Sequence, residues 1–214
     1  MKKATKKEIE ELKELFLEKY KDAKTELEYK NEYELLVAII LSAQCTDKRV
    51  NIITPALFEK YPSTKELSQA NLEDVKKLIN TCSFFNNKAK NLILMAQSVE
   101  NDYNSKIPRT QKELMSLAGV GQKTANVFMI EMDNKNLMAV DTHVFRVAHR
   151  FGLSDAKTAI KTEVELSKKF KTDLHVLHQA MVLFGRYICK ATNPQCDECI
   201  APHLCKSKAT FKVN

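Results

Sequence analysis

A chain of 214 residues with 44% hydrophobic side chains is long enough for one large domain or two small ones and too apolar to be disordered. Its formal charge of +7, from 34 basic against 27 acidic residues, suits a polyanionic partner such as nucleic acid, although an ordinary basic protein has the same total. The longest apolar run, Leu35 to Leu41, is far shorter than the roughly 20 residues that span a bilayer, and the basic, polar Met1–Lys7 does not form a secretion signal, so no membrane partner and a cytoplasmic location are expected.

The pattern is helical almost throughout. Ile9, Leu12 and Phe16 recur at helical spacing in the first segment. Glu32–Ser42 is a short, nearly all-apolar helix and is expected to be buried. Ser63 with Glu66 forms a capping-box signature. Asn71 caps the next helix, with Leu72, Val75, Leu78 and Ile79 facing inward. Ala89, Leu92, Ile93, Ala96 and Val99 stripe a helix over Asn87–Val99. Thr110 and Glu113 repeat the capping box before Leu114 and Leu117, with Gly119 expected as the C-cap of that helix. A further helix begins near Gln122. Val144, Val147, Ala148 and Phe151 make one stripe after Asp141, and Ala159–Phe170 and His175–Tyr187 read as two more helices. With no alternating strands and no repeats, the fold class is all-α with about ten helices.

The chain has four glycines, and two of them, Gly119 and Gly121, fall within LAGVGQKTANVF at 117–128. Helices joined through Gly-Val-Gly form a corner expected to be too tight for a Cβ at either glycine. A phosphate can approach such a corner, where the amides opening the second helix carry partial positive charge. That grip ignores base sequence; the alternative is an ordinary glycine-capped corner. Lys123 lies in the first turn of the second helix, where the dipole disfavours a cation. Together with any burial this is expected to weaken its hold on the proton and make the amine a candidate nucleophile. The plainer reading is a surface lysine that meets phosphate.

Cys189, Cys196, Cys199 and Cys205 follow the pattern C-x6-C-x2-C-x5-C. A reducing compartment disfavours disulfides, and four thiols so close together suit a soft metal, either zinc or an iron–sulfur cluster. His203 lies inside the loop and is expected to be structural. Cys45 and Cys82 stand alone in apolar contexts and read as buried small hydrophobes.

Five stretches together resemble the endonuclease III family of helix-hairpin-helix DNA glycosylases: LSAQCTDKRVN at 41–51, FFNNKAKNL at 84–92, LAGVGQKTANV at 117–127, VDTHVFRV at 140–147 and FGRYICKATNPQCDECIAPHLC at 184–205. The resemblance implies two helical domains with a DNA-binding cleft between them. One, over 25–135, is continuous and holds the hairpin at about 111–131. The other joins 1–24 to 136–214 and carries a [4Fe–4S] cluster on the four cysteines rather than zinc. It implies a bifunctional enzyme that removes oxidised pyrimidines and cleaves abasic sites in double-stranded DNA, acting as a monomer. Lys123 aligns with the family's nucleophile and Asp141 with its catalytic carboxylate. Read by itself, Asp141 is the N-cap of the helix from Thr142, a role compatible with catalysis.

Gln44 and Phe84 fall where the family fills the gap left by an extruded base, although a phenylalanine is more often a core residue. DNA contact is also implied for Gly119, Val120, Gly121, Lys123, Thr124, His143, Arg146 and Lys190. His143, Arg146 and Arg150 share the helix face opposite the apolar stripe and either meet phosphate or form a solvated face. Two departures stand out: Ala118 replaces a common proline before the hairpin, and Ser83 replaces a common glycine in the wedge loop. Two competing readings are a glycosylase without lyase activity, whose adenine-removing members lack a lysine at position 123, and a non-catalytic DNA-binding or redox module. The lysine at 123 argues against the first, and its coexistence with Asp141 against the second.

Overall fold

The computed structural model describes residues 3–207; the outermost parts of the expected discontinuous domain, 1–2 and 208–214, lie outside them. Among the described residues there are eleven α-helices, one 3₁₀ turn and no strand, and no helix is long and apolar enough to cross a membrane. The chain divides into two compact units, Glu26–Asp133 and Met1–Thr25 with Asn134–Asn214.

In the Glu26–Asp133 unit, α2 (Glu32–Ser42) is the axis, buried from Tyr33 through Leu41. That all-round burial explains its unbroken apolar run. Helices α3 (Asp47–Lys60), α6 (Phe85–Asp102) and α8 (Gln122–Asp133) pack around it. The short α4 (Thr64–Ser68), α5 (Leu72–Ile79) and α7 (Gln111–Leu114) complete the unit. Each opens on the residue the sequence nominates: Ser63 accepts from the Lys65 amide, Asn71 from Glu73 and Asp74, and Thr110 from Glu113. In the first and last of these the cap hydroxyl also donates to the Glu66 or Glu113 carboxylate. Arg109 ties the unit's ends together, pairing with Glu32 and with Asp133 at 3.1 Å while lying 5.5 Å over the Phe128 ring.

Two features depart from the sequence pattern. Helix α3 has no announced counterpart there, because Pro55 sits inside it and its opening residues are polar. The loss of one backbone donor is tolerated in a helix whose Asn51 side chain staples the preceding loop, donating to Glu26 O (2.8 Å) and accepting from Glu28 N (3.0 Å). Helix α7 ends at Leu114 with Met115 as C-cap. Gly119 is therefore not the cap but a left-handed residue of the following loop, at φ +82°.

The second unit is built from α1 (Lys6–Lys19), α9 (Thr142–Arg150), α10 (Ala159–Phe170) and α11 (Leu174–Tyr187). Thr5 and Glu8 form a reciprocal capping box on α1. Leu12 and Phe16 of α1 are fully buried. The Phe16 ring meets Phe184 edge-on at 5.3 Å and Phe151 at 6.2 Å. Burying Phe16 alone is worth about 1.5–3 kcal/mol, so the N-terminal helix belongs to this core even though the other unit separates it from the rest in sequence. The cysteine loop follows α11 and contains the 3₁₀ turn, Cys196–Glu198.

Candidate active site and metal centre

The hairpin between α7 and α8 is asymmetric. At Gly119 a Cβ would lie 3.1 Å from the Asn91 Cβ and 3.4 Å from Ile40 Cγ2, so both the left-handed backbone and the contact require glycine. At Gly121 nothing lies within 4 Å of a would-be Cβ. The expectation that both glycines are forced by crowding is thus corrected: the fold itself leaves Gly121 free, and the bare surface there faces open space. Val120 is 7% exposed and its amide donates to Leu117 O at 3.1 Å. It anchors the corner, with neither side chain nor N–H on offer.

Helix α8 makes its first hydrogen bond from Ala125 N to Gly121 O at 2.9 Å, and the amides of Lys123 and Thr124 lie ahead of that ladder. The Thr124 side chain is buried, which leaves only its backbone to meet a ligand. Lys123 is exposed, with no hydrogen bond or ion pair to it among the described residues. The burial expected to tune this amine is absent; what remains is its seat in the positive first turn of α8.

Gln44 and Phe84 are both exposed and both left-handed, at φ +55° and +58°. Gln44 lies in the turn between α2 and α3, and Phe84 is the N-cap residue of α6, without a capping side chain. At 62% exposure Phe84 is no core phenylalanine. Cys82 is buried as expected, whereas Cys45 is only half-buried.

In the other unit Asp141 caps α9, its Oδ1 accepting from Val144 N at 2.8 Å. Arg146 does not present a free cation on a solvated face. Its Nε donates to Cys189 O (2.9 Å) and its Nη2 to Gly185 O (2.7 Å), with His143 Nδ1 3.1 Å away. Burial, and then the neighbouring Arg150 charge, lowers its pKa. Arg150 likewise donates to the Cys189 and Lys190 carbonyls and reaches Cys189 Sγ at 3.2 Å. Both arginines hold the start of the cysteine loop to α9, a role sequence spacing does not reveal because their partners are carbonyls. His143 and Lys190 are half-buried.

All four cysteines line one cavity, together with Arg150 and Phe184 among others. No three His, Cys, Asp or Glu among the described residues are close enough to hold a single metal ion. Four thiols around one cavity are the donor set of a soft metal or an iron–sulfur cluster. Burial raises the Cys189 pKa while Arg150 opposes it, and that cation favours the thiolate form in which a cysteine ligates a metal. His203 stays out of this set and pairs with Glu11 of α1 at 2.7 Å.

Residues 37–172 match the model of the HhH-GPD superfamily base excision DNA repair proteins. The endonuclease III of Rickettsia felis is 42% identical over 92% of this chain and 93% of its own; that of Bacillus subtilis is 41% identical over 86% and 85%. Among solved structures, a trapped endonuclease III–DNA covalent intermediate superposes with a TM-score of 0.92 at 38% identity, covering 97% of this chain and 98% of that one. A non-covalent endonuclease III–DNA complex fits with the same values.

Proposed function

Because the chain belongs to the endonuclease III family, within the HhH-GPD superfamily of base excision DNA repair proteins, we propose that it is a bifunctional DNA glycosylase and abasic-site lyase. Its substrate is double-stranded DNA carrying an oxidised pyrimidine or an abasic site, and it works as a monomer. A damaged base stacks and pairs poorly, so turning it out of the duplex costs less. Lys123 Nζ attacks C1′ of the extruded nucleotide; the N–C bond forms as the glycosidic bond to the base breaks. Asp141 takes the proton the amine sheds and stabilises the cationic sugar. The C1′–O4′ bond then breaks, O4′ taking up the proton from Asp141 as the sugar ring opens, and the imine so formed acidifies C2′. Loss of the C2′ proton expels the 3′ phosphate by β-elimination, and water then frees the lysine. The open face at Gly121 and the amides of Lys123 and Thr124 receive a backbone phosphate.

Cys189, Cys196, Cys199 and Cys205 would hold a [4Fe–4S] cluster. When bound it supplies a covalent hub for the loop rather than a bond-breaking step, and Arg146 and Arg150 orient that loop from α9.

The observation that carries this reading is an exposed amine, Lys123, with no hydrogen bond or ion pair among the described residues, placed at the mouth of α8 beside a glycine whose surface is open. Borohydride is expected to trap a protein–DNA adduct on abasic duplex, and Lys123→Gln to abolish it. An adduct that persists in that variant removes Lys123 from the chemistry. Base release without strand cleavage in the unaltered protein identifies a glycosylase lacking lyase activity.

A further inference from the structure

Lys88 is 7% exposed, yet no carboxylate meets it among the described residues. Its ammonium donates instead to Leu41 O (2.8 Å), Ala43 O (2.7 Å) and Cys82 Sγ (3.2 Å). Leu41 sits in the last turn of α2, which carries no basic residue of its own. The last carbonyls of a helix lack intrahelical donors and bear partial negative charge. Lys88 therefore caps α2 from a different helix. Cys82 completes the ring, its thiol donating to Leu41 O at 3.3 Å.

These contacts join two particular places. Ala43 immediately precedes Gln44, and Cys82 lies two residues before Phe84. The Lys88 backbone is bound there too, its N–H donating to Phe84 O at 3.1 Å. Left-handed backbone at non-glycine residues costs of order 1–3 kcal/mol each and persists only where the surroundings enforce it. Gln44 and Phe84 are two such residues, both exposed, and a single buried cation fastens the turns that carry them.

We propose that Lys88 is a positioning residue: it locks the α2–α3 turn to the start of α6 so that Gln44 and Phe84 enter the duplex as one preset pair when a base leaves. This rests on the repair reading above, and adds to it a residue that touches neither DNA nor the reacting atoms. The pair is held ready before DNA arrives, so the energy of binding is not spent on ordering it.

The test uses the cluster-loaded protein and separates two substrates under single turnover. Duplex with an oxidised pyrimidine needs a base pushed out and its gap filled; single-stranded abasic DNA needs neither. Lys88→Met is expected to slow excision from the duplex by about 10–100-fold, the range set by losing a charge-assisted hydrogen-bond cluster, while borohydride trapping on the single strand stays within about threefold. Lys88→Arg, which keeps the cation, recovers most of the loss. Adding Phe84→Ala to Lys88→Met costs little beyond the worse single variant, because both remove one unit. Equal losses on both substrates, additive effects in the double variant, or unchanged duplex excision in Lys88→Met each overturn the proposal. If the unaltered protein neither traps nor excises, it is the repair reading that fails, and Lys88 is not at issue.

Discussion

Asp141 does two jobs that one substitution can separate. Its carboxylate caps α9 through the Val144 amide, and asparagine caps as well as aspartate does. Asp141→Asn is therefore expected to leave the melting temperature within a degree or two while base excision falls by 100-fold or more, in the range of a lost general base. Asp141→Ala loses the charge and the cap together, with about 1 kcal/mol of stability gone by denaturant titration. A drop in stability for the asparagine variant equal to that of alanine, with excision spared, would show that the cap is the whole of its role. Single residues of this kind were legible in sequence because they carry their own signals: an aspartate before an apolar stripe, a lysine after two glycines. Arg146 and Lys88 were not, since what defines each is a set of backbone carbonyls from distant segments, and carbonyls leave no trace in a sequence.

At the level of elements, three glycines make contrasting demands. A Cβ at Gly185 of α11 would stand 2.8 Å from the His143 Cβ and 3.2 Å from its backbone. Gly185→Ala must push α9 aside and is expected to cost about 1–3 kcal/mol, as overpacking does, read as a fall in denaturant midpoint. The hairpin glycines separate folding from binding. Gly119→Ala meets Asn91 and a left-handed backbone, so it destabilises. Gly121→Ala fills only open space and changes stability by no more than about 0.5 kcal/mol, yet it is expected to weaken duplex binding at constant salt. Equal DNA affinity for Gly121→Ala and the unaltered protein would exclude phosphate from that face. Helices with a polar–apolar alternation at their caps, such as α5 and α9, were readable in advance. Helix α3 was not: Pro55 and a polar opening conceal it, and its packing against α2 and α5 holds it in place.

Across the second unit, α1 and the cysteine loop depend on one another. Lys206 is 8% exposed at its side chain and pairs with Glu8. First the Lys206 side chain, then the Thr5 amide, holds the Glu8 carboxyl down to about 2, against an ordinary value of 4.5. A carboxyl depressed in the folded state adds stability that is complete above about pH 4.5 and is lost as the pH falls toward 2. Glu8→Gln is thus expected to lower the melting temperature at pH 7 and to flatten its decline between pH 4.5 and 2. Parallel curves for the two proteins over that interval would assign the acid sensitivity to other carboxylates. Two helical bodies were implied by the family resemblance, and the cysteine loop was visible from the spacing of its thiols. The sewing of α1 into the far end of the chain rests on which aromatic rings meet, and helical periodicity is silent on that.

That sewing has a consequence for synthesis. Glu26–Asp133 is a contiguous stretch and can close as soon as it clears the ribosome, at the usual 5–20 residues per second or so. Helix α1, made before that stretch, must wait with Leu12 and Phe16 uncovered until Phe151 and Phe184 have been translated. That early helix is among the last elements of its unit to find its place, and the cysteine loop, arriving later still, closes over a core that α1 has only just completed.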